Sequence, residues 1–237
     1  MTGTTASARR IRPLATRDAL RPAGIEFVAT VFLLIAIVGS GIMAERLSGG
    51  NLGLALLANS LATGGALLAL ILAFGPSSGA HMNPVVTLAA VILDDFPRRK
   101  ALLYIAAQFA GAVIGVWLAH AMFALPILQL SRHVRSGFGQ FLAEIIATIG
   151  LLAVIGGCRA HRAPVTGFAV AAYIAGAYWF TASTAFANPA VTIARMLSDS
   201  FAGIRPGDAP LFILAQFIGL ALALPLLRAM HGESDSR

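Results

Sequence analysis

Long apolar stretches dominate this chain. Six of them reach bilayer-spanning length, at roughly residues 24–44, 52–74, 101–124, 138–157, 164–182 and 210–230. A run of about 20 residues, at about 1.5 Å per residue, matches a hydrocarbon core of about 30 Å. The pattern predicts an all-α membrane protein with six transmembrane helices. The first run follows a charged leader but lacks a small-residue cleavage site after a short apolar core, so it reads as a true span.

Composition agrees with this pattern. The 237 residues are 58% hydrophobic and only 11% charged, with a mean hydropathy of +0.82. That charge is too sparse to coat a water-soluble globule, which argues against a cytosolic enzyme, a disordered chain or a disulfide-rich secreted domain. The single cysteine, Cys158, has no intrachain partner and reads as an inert thiol.

A net charge of +7 could suggest nucleic acid, but the basic residues cluster at the ends of apolar runs. Arg9, Arg10, Arg12, Arg17 and Arg21 precede the first; Arg98, Arg99 and Lys100 precede the third; Arg159 and Arg162 follow the fourth. Six spans put both termini on one side, and twelve of the seventeen Lys and Arg residues sort to that side. The positive-inside rule makes it the cytoplasm, and no nucleic-acid site is expected.

Two further apolar stretches, residues 84–93 and 189–197, reach only about 15 Å as helices, half a membrane. They match each other: Asn83-Pro84-Val85-Val86-Thr87-Leu88-Ala89 aligns with Asn188-Pro189-Ala190-Val191-Thr192-Ile193-Ala194. Their surroundings match as well, Glu26 and Thr30 with Glu144 and Thr148, and Gln108 with Gln216. The unit is three spans plus a half-span, used twice. Three is odd, so the second copy is inverted, and the amino ends of the half-helices meet near the midplane. This divides the chain into a basic leader (1–21), a first repeat (22–124), an extracellular connection (125–137), a second repeat (138–230) and a cytoplasmic tail (231–237).

Duplicated halves carrying Asn-Pro half-helices and matched glutamates resemble the aquaporin, or major intrinsic protein, family. The resemblance covers residues 22–230 and implies the aquaporin fold. It further implies a passive channel for water or small uncharged solutes, no cofactor, and one pore per protomer of a homotetramer in the cell's inner membrane.

An Asn before a Pro is also an ordinary helix start, in which the Asn oxygen caps backbone N–H groups and Pro fits the first turn. With the oxygens so used, the NH₂ groups of Asn83 and Asn188 are free to donate into the lumen. Pro84, Val85, Pro189 and Ala190 complete the midplane, and Val85, standing where the family more often has Ala, is expected to trim it slightly. Two helix ends, each with roughly half a positive charge, disfavour protons and cations there. The loops ahead, Ser78-Gly79-Ala80-His81 and Thr184, Phe186 and Ala187, are expected to line the pore with carbonyls.

Glu26 and Glu144 are intramembrane carboxylates, open to two readings. A proton relay is one; the resemblance implies the other, structural acceptors for half-helix loop N–H groups. Gln108 and Gln216 read as interhelical hydrogen-bond residues, and Gly111 with Gly115 as a helix-packing face. His81 reads as a loop-fixing residue, with a pH gate as the alternative. The other histidines are scattered, so no metal site is expected. No catalytic set is apparent, so the chain does not read as an enzyme.

The resemblance also implies an outer constriction of four residues. Ungapped counting puts these at Thr63, Gly176, Ala185 and Val191, the last replacing the family's usual Arg. Such an aperture is wide and weakly polar. It is similar to aquaporin-like channels of bacterial arsenical-resistance systems, which implies passage of arsenite and small organoarsenicals; glycerol-like polyols are the close competitor. A water-selective aquaporin and a proton-coupled transporter are the alternative functions. Arg195, one turn beyond Val191, either reaches the vestibule or pairs with Asp199, and the pairing is the expectation.

Overall fold

The computed structural model describes residues 16–159 and 163–232. They form eight α-helices: α1 (Thr16–Leu47), α2 (Leu52–Ser78), α3 (Pro84–Leu93), α4 (Arg98–Met122), α5 (Phe138–Gly157), α6 (Ala163–Phe180), α7 (Pro189–Arg195) and α8 (Ala209–Gly232). Most of the leader, His161, Arg162 and the tail from residue 233 lie outside the described residues.

Five of the helices, α1, α2, α4, α5 and α8, are long and apolar enough to cross a membrane. The sixth expected span, α6, is shorter, with 18 residues or about 27 Å. Several helices extend beyond their apolar blocks. α1 begins inside the expected leader and keeps Pro22 within it, and α4 takes Arg98, Arg99 and Lys100 into its first turn. Charge ends an apolar block without ending a helix, because Arg and Lys are good helix formers. A stronger stop ends α2: Gly79 caps it at φ 95°, and its N–H donates to the Gly75 carbonyl over 2.9 Å.

The packing follows the repeat. α1 packs on α4 and α2, α5 packs on α8 and α6, and α2 meets α6 to join the halves. α3 and α7 touch each other and rest on α4 and α8. Glycines let the long helices approach closely. A Cβ at Gly111 would lie 2.5 Å from the Phe27 carbonyl oxygen, and one at Gly115 would lie 2.5 Å from that of Val31. On α8, a Cβ at Gly219 would come within 2.8 Å of Thr148 Cβ. The expected Gly111–Gly115 face is therefore the α1–α4 seam.

Leu33, Leu34, Ile37, Val38, Leu67, Val116, Leu151 and Ile174 form the main apolar core. The outward faces are apolar too, with Phe32, Leu61, Leu118, Ile146, Phe168 and Leu222 all exposed. In water such a surface would drive aggregation; in lipid it is the appropriate solvent contact.

Candidate functional site

Asn83 and Asn188 cap α3 and α7 and latch them together. Asn83 Oδ1 accepts the Val85 N–H at 2.9 Å, and Asn188 Oδ1 accepts those of Ala190 and Val191 at 3.0 and 3.3 Å. Each Nδ2 donates across the middle, Asn83 to the Ala187 carbonyl and Asn188 to the Met82 carbonyl, both over 2.8 Å. The sequence leads one to expect both NH₂ groups free for the lumen; instead one proton of each joins the two loops. Both asparagines still line a cavity of about 210 Å³.

That cavity collects residues from both repeats, from Asp94 and Arg159 at one end to Thr63, Tyr178 and Arg195 at the other. Val85 is not on its wall. It is fully buried against Leu152, Leu220 and Leu227, and Val86 faces the cavity instead. One residue along a helix is a turn of about 100°, enough to move the side chain from lumen to core. Pro84, Pro189 and Ala190 are likewise buried off the wall.

The loops ahead of the two asparagines share an unusual backbone. Ala80 and Met82 have φ 47°, and so do their repeat partners Ala185 and Ala187. Left-handed conformations at non-glycine residues cost about 1–2 kcal/mol each. The buried carboxylates offset this by gathering the N–H groups that the twist exposes. Glu26 accepts from His81 N at 2.9 Å, Met82 N at 2.7 Å, Ser78 Oγ at 2.7 Å and Gln108 Nε2 at 2.9 Å. Glu144 accepts from Phe186 N at 2.8 Å, Ala187 N at 2.9 Å and Gln216 Nε2 at 2.6 Å. The glutamines also donate to Thr87 and Thr192, tying long helix to half-helix.

Gly79, Ala80, His81, Ala185 and Phe186 reach the cavity wall, whereas Ser78, Thr184 and Ala187 do not. Their polar groups are engaged elsewhere. The Ser78 carbonyl accepts Tyr104 Oη at 2.8 Å, the Ala187 carbonyl holds Asn83, and Thr184 Oγ1 faces Arg135 Nη1 at 3.5 Å.

Of the four residues of the expected outer constriction, Thr63, Ala185 and Val191 lie on the wall and Gly176 does not. Gly176 is exposed on the outer face of α6, and buried Tyr178 occupies the inner face. Two helical residues differ by about 200°, so an ungapped count that slips by two selects the opposite side. Tyr178 Oη donates to Thr63 Oγ1 over 3.2 Å. Arg195 is also on the wall and does not pair with Asp199, whose carboxylate is taken by Arg132 at 2.7 Å. That guanidinium comes from the 125–137 connection, which folds back over α7 and whose Ser131 N–H donates to the Met196 carbonyl at 2.8 Å.

The same connection buries Arg135, which donates through Nε to Gly203 at 2.8 Å and through its terminal nitrogens to the Ser183 and Phe201 carbonyls at 3.3 and 3.2 Å. Burial pushes its pKa down to about 10, so it is still charged at neutral pH. At the other end of the cavity, Asp94 and Arg159 form a bidentate ion pair. His81 Nδ1 lies 3.1 Å from Thr87 Oγ1, and its ring packs on Phe96 and Tyr104.

Residues 14–177 match the family described as major intrinsic protein. Aquaglyceroporin AqpS of Rhizobium meliloti is 48% identical over 212 residues, covering 89% of this chain and 90% of its own. The probable aquaporin AqpM of Archaeoglobus fulgidus is 33% identical over 183 residues, 71% of this chain and 74% of its own. The chain belongs to the major intrinsic protein family. It is a multi-pass integral membrane protein. Its fold is similar to the crystal structure of the aquaglyceroporin from Plasmodium falciparum, with a TM-score of 0.66 at 22% identity, covering 89% of this chain and 99% of that one.

Within this major intrinsic protein, the sequence reading missed two residues at the outer mouth. Tyr178 was detectable in principle as the polar-tipped aromatic on the α6 face that also carries Val170 and Ile174, all three on the cavity wall. Arg135 left no local signal, because only the fold of its loop brings it to Ser183 and Gly203.

Proposed function

We propose that this family member is a passive channel for small uncharged solutes, with a wide filter that passes arsenite and small organoarsenicals or glycerol-like polyols. The observation carrying this is Val191 on the cavity wall beside Thr63 and Ala185: methyl groups and a short hydroxyl where a narrow polar aperture would need fixed donors. The AqpS relative, an aquaglyceroporin by name, supports the same solute class. Assembly as a homotetramer in the inner membrane, with both termini cytoplasmic, belongs to the same reading. So does the absence of catalysis.

Glu26 and Glu144 support a channel over a proton-coupled transporter. Both are fully buried, absent from the cavity wall and occupied by structural donors. The filter is tested by uptake of water, glycerol and arsenite into liposomes containing the native protein or Val191→Arg. The arginine is expected to cut glycerol and arsenite flux about tenfold relative to water, the effect of replacing a methyl-lined gap with a large charged group. An unchanged solute ranking would overturn the wide-filter reading.

A further inference from the structure

The two half-helices differ sharply at one position on the cavity wall. Three places after each asparagine stands a valine, Val86 and Val191, and both are on the cavity wall. Seven places after stand Ala90 and Arg195, also both on the wall. At equivalent positions, then, one end of the lumen has a methyl group and the other a guanidinium.

Arg195 is only 1% exposed, and its position is built from three sides. Its Nε–H donates to the Ala202 carbonyl. Its guanidinium carbon lies 3.4 Å from the centre of the Phe186 ring, a stacking contact that fixes the plane of the group. Arg135 approaches the same ring at 5.1 Å, and Phe212 packs against it edge-on at 5.2 Å. Arg135 spends its donors on loop carbonyls, but the two terminal nitrogens of Arg195 have no hydrogen-bond partner among the described residues, nor are they sealed from the cavity. A guanidinium left without an acceptor inside a protein is costly unless it faces water or a ligand oxygen.

We infer that Arg195 is the selectivity guanidinium of this chain, displaced one helical turn outward from the usual constriction position. It repels cations at the outer mouth and donates N–H groups to the oxygens of an entering hydroxylated solute. Displacement separates two properties that a constriction arginine combines: the neck at Val191 is wide, while fixed positive charge and oriented donors persist just above it. A solute rich in hydroxyl oxygens is first oriented by Arg195, then passes the Tyr178–Thr63 pair and the valine. Arg135 adds a second fixed positive charge behind Phe186 and holds the ring on which Arg195 is stacked. This inference rests on the channel reading and adds to it the residue that sets ion exclusion.

Arg195→Met and Arg195→Gln, reconstituted beside the native protein, separate charge from donors. Sodium leak and glycerol flux are measured on the same vesicles, with elution and melting of each variant checked against native. The ratio of sodium leak to glycerol flux is expected to rise about tenfold in both variants, because both lose the charge. The glycerol-to-water ratio is expected to fall in the Met variant and to be partly kept by Gln, which retains an N–H donor. If Met does not assemble, the Gln variant carries the ion readout. Cation-tight variants in a system whose native protein conducts glycerol would overturn this inference alone. Native vesicles no more permeable to glycerol than protein-free ones would overturn the channel reading and this inference with it.

Discussion

The two halves of the lumen are built from the same parts at the centre and from different parts at the ends. At the centre, the asparagine latch, the pair of left-handed alanine or methionine residues and the buried glutamate–glutamine pair recur almost atom for atom. Moving outward, His81 in one loop corresponds to Phe186 in the other, and Ala90 corresponds to Arg195. Both half-helices are followed, eleven places after the asparagine, by an aspartate held by an arginine from a neighbouring loop: Asp94 by Arg159 and Asp199 by Arg132. The difference locates what duplication must conserve. Holding two broken helices tip to tip admits one solution, used twice; the mouths face different compartments and are free to diverge.

The largest test of that shared centre is its carboxylates. Glu26 gathers four donors, and Glu144 gathers three with the Ser183 hydroxyl, the repeat partner of Ser78, beside it as a fourth, so Glu26→Gln and Glu144→Gln should destabilise to a similar extent. The amide turns an N–H toward buried donors, and the expected loss is about 2–4 kcal/mol in each repeat. Thermal melting in detergent measures it. Clearly unequal losses would mean that the two centres are not held in the same way.

A smaller effect is expected at the helix seams. Gly115→Ala puts a Cβ 2.5 Å from a backbone oxygen of α1, which cannot yield without moving the helix. Gly219→Ala meets Thr148 Cβ at 2.8 Å and the Ile145 carbonyl at 2.9 Å. Overpacking of this kind costs about 1–3 kcal/mol, with the first-repeat seam expected to suffer more. Comparable melting of both variants would say that the seams have equal slack.

The smallest effect is expected at the surface ion pairs. The Arg132 backbone N–H, and then its side chain, hold the Asp199 carboxyl below the usual carboxylate range. A depressed folded-state value means that the contribution is present at neutral pH and lost as pH falls through that value. The pair is exposed, so Asp199→Asn should cost less than about 1 kcal/mol at pH 7, and the gap from native should close on acidification. A gap that widens in acid would contradict this.

Much of the architecture was legible because membrane constraints are blunt. An apolar run of fixed length predicts a helix, and a half-length run opened by Asn-Pro predicts a broken one; every predicted run holds a helix, with ends displaced by up to eight residues, at the start of α1. The lumen itself was less legible. Val85 and Gly176 were misassigned because wall membership changes every 100° of helix, so a count off by one or two residues selects core or lipid instead of pore. Arg195 was expected on Asp199 because four-residue spacing favours such pairs. Nothing in the sequence of the 125–137 connection says that it folds back and delivers Arg132 to that aspartate first. Tertiary competition for a partner is invisible to local spacing.

A continuous passive path between the two half-helices is read out by glycerol flux through the native protein in liposomes, with and without an imposed proton gradient. Such a path carries glycerol well above the rate of protein-free vesicles, down its gradient and at one rate in both conditions. Glycerol movement that requires the proton gradient would contradict it.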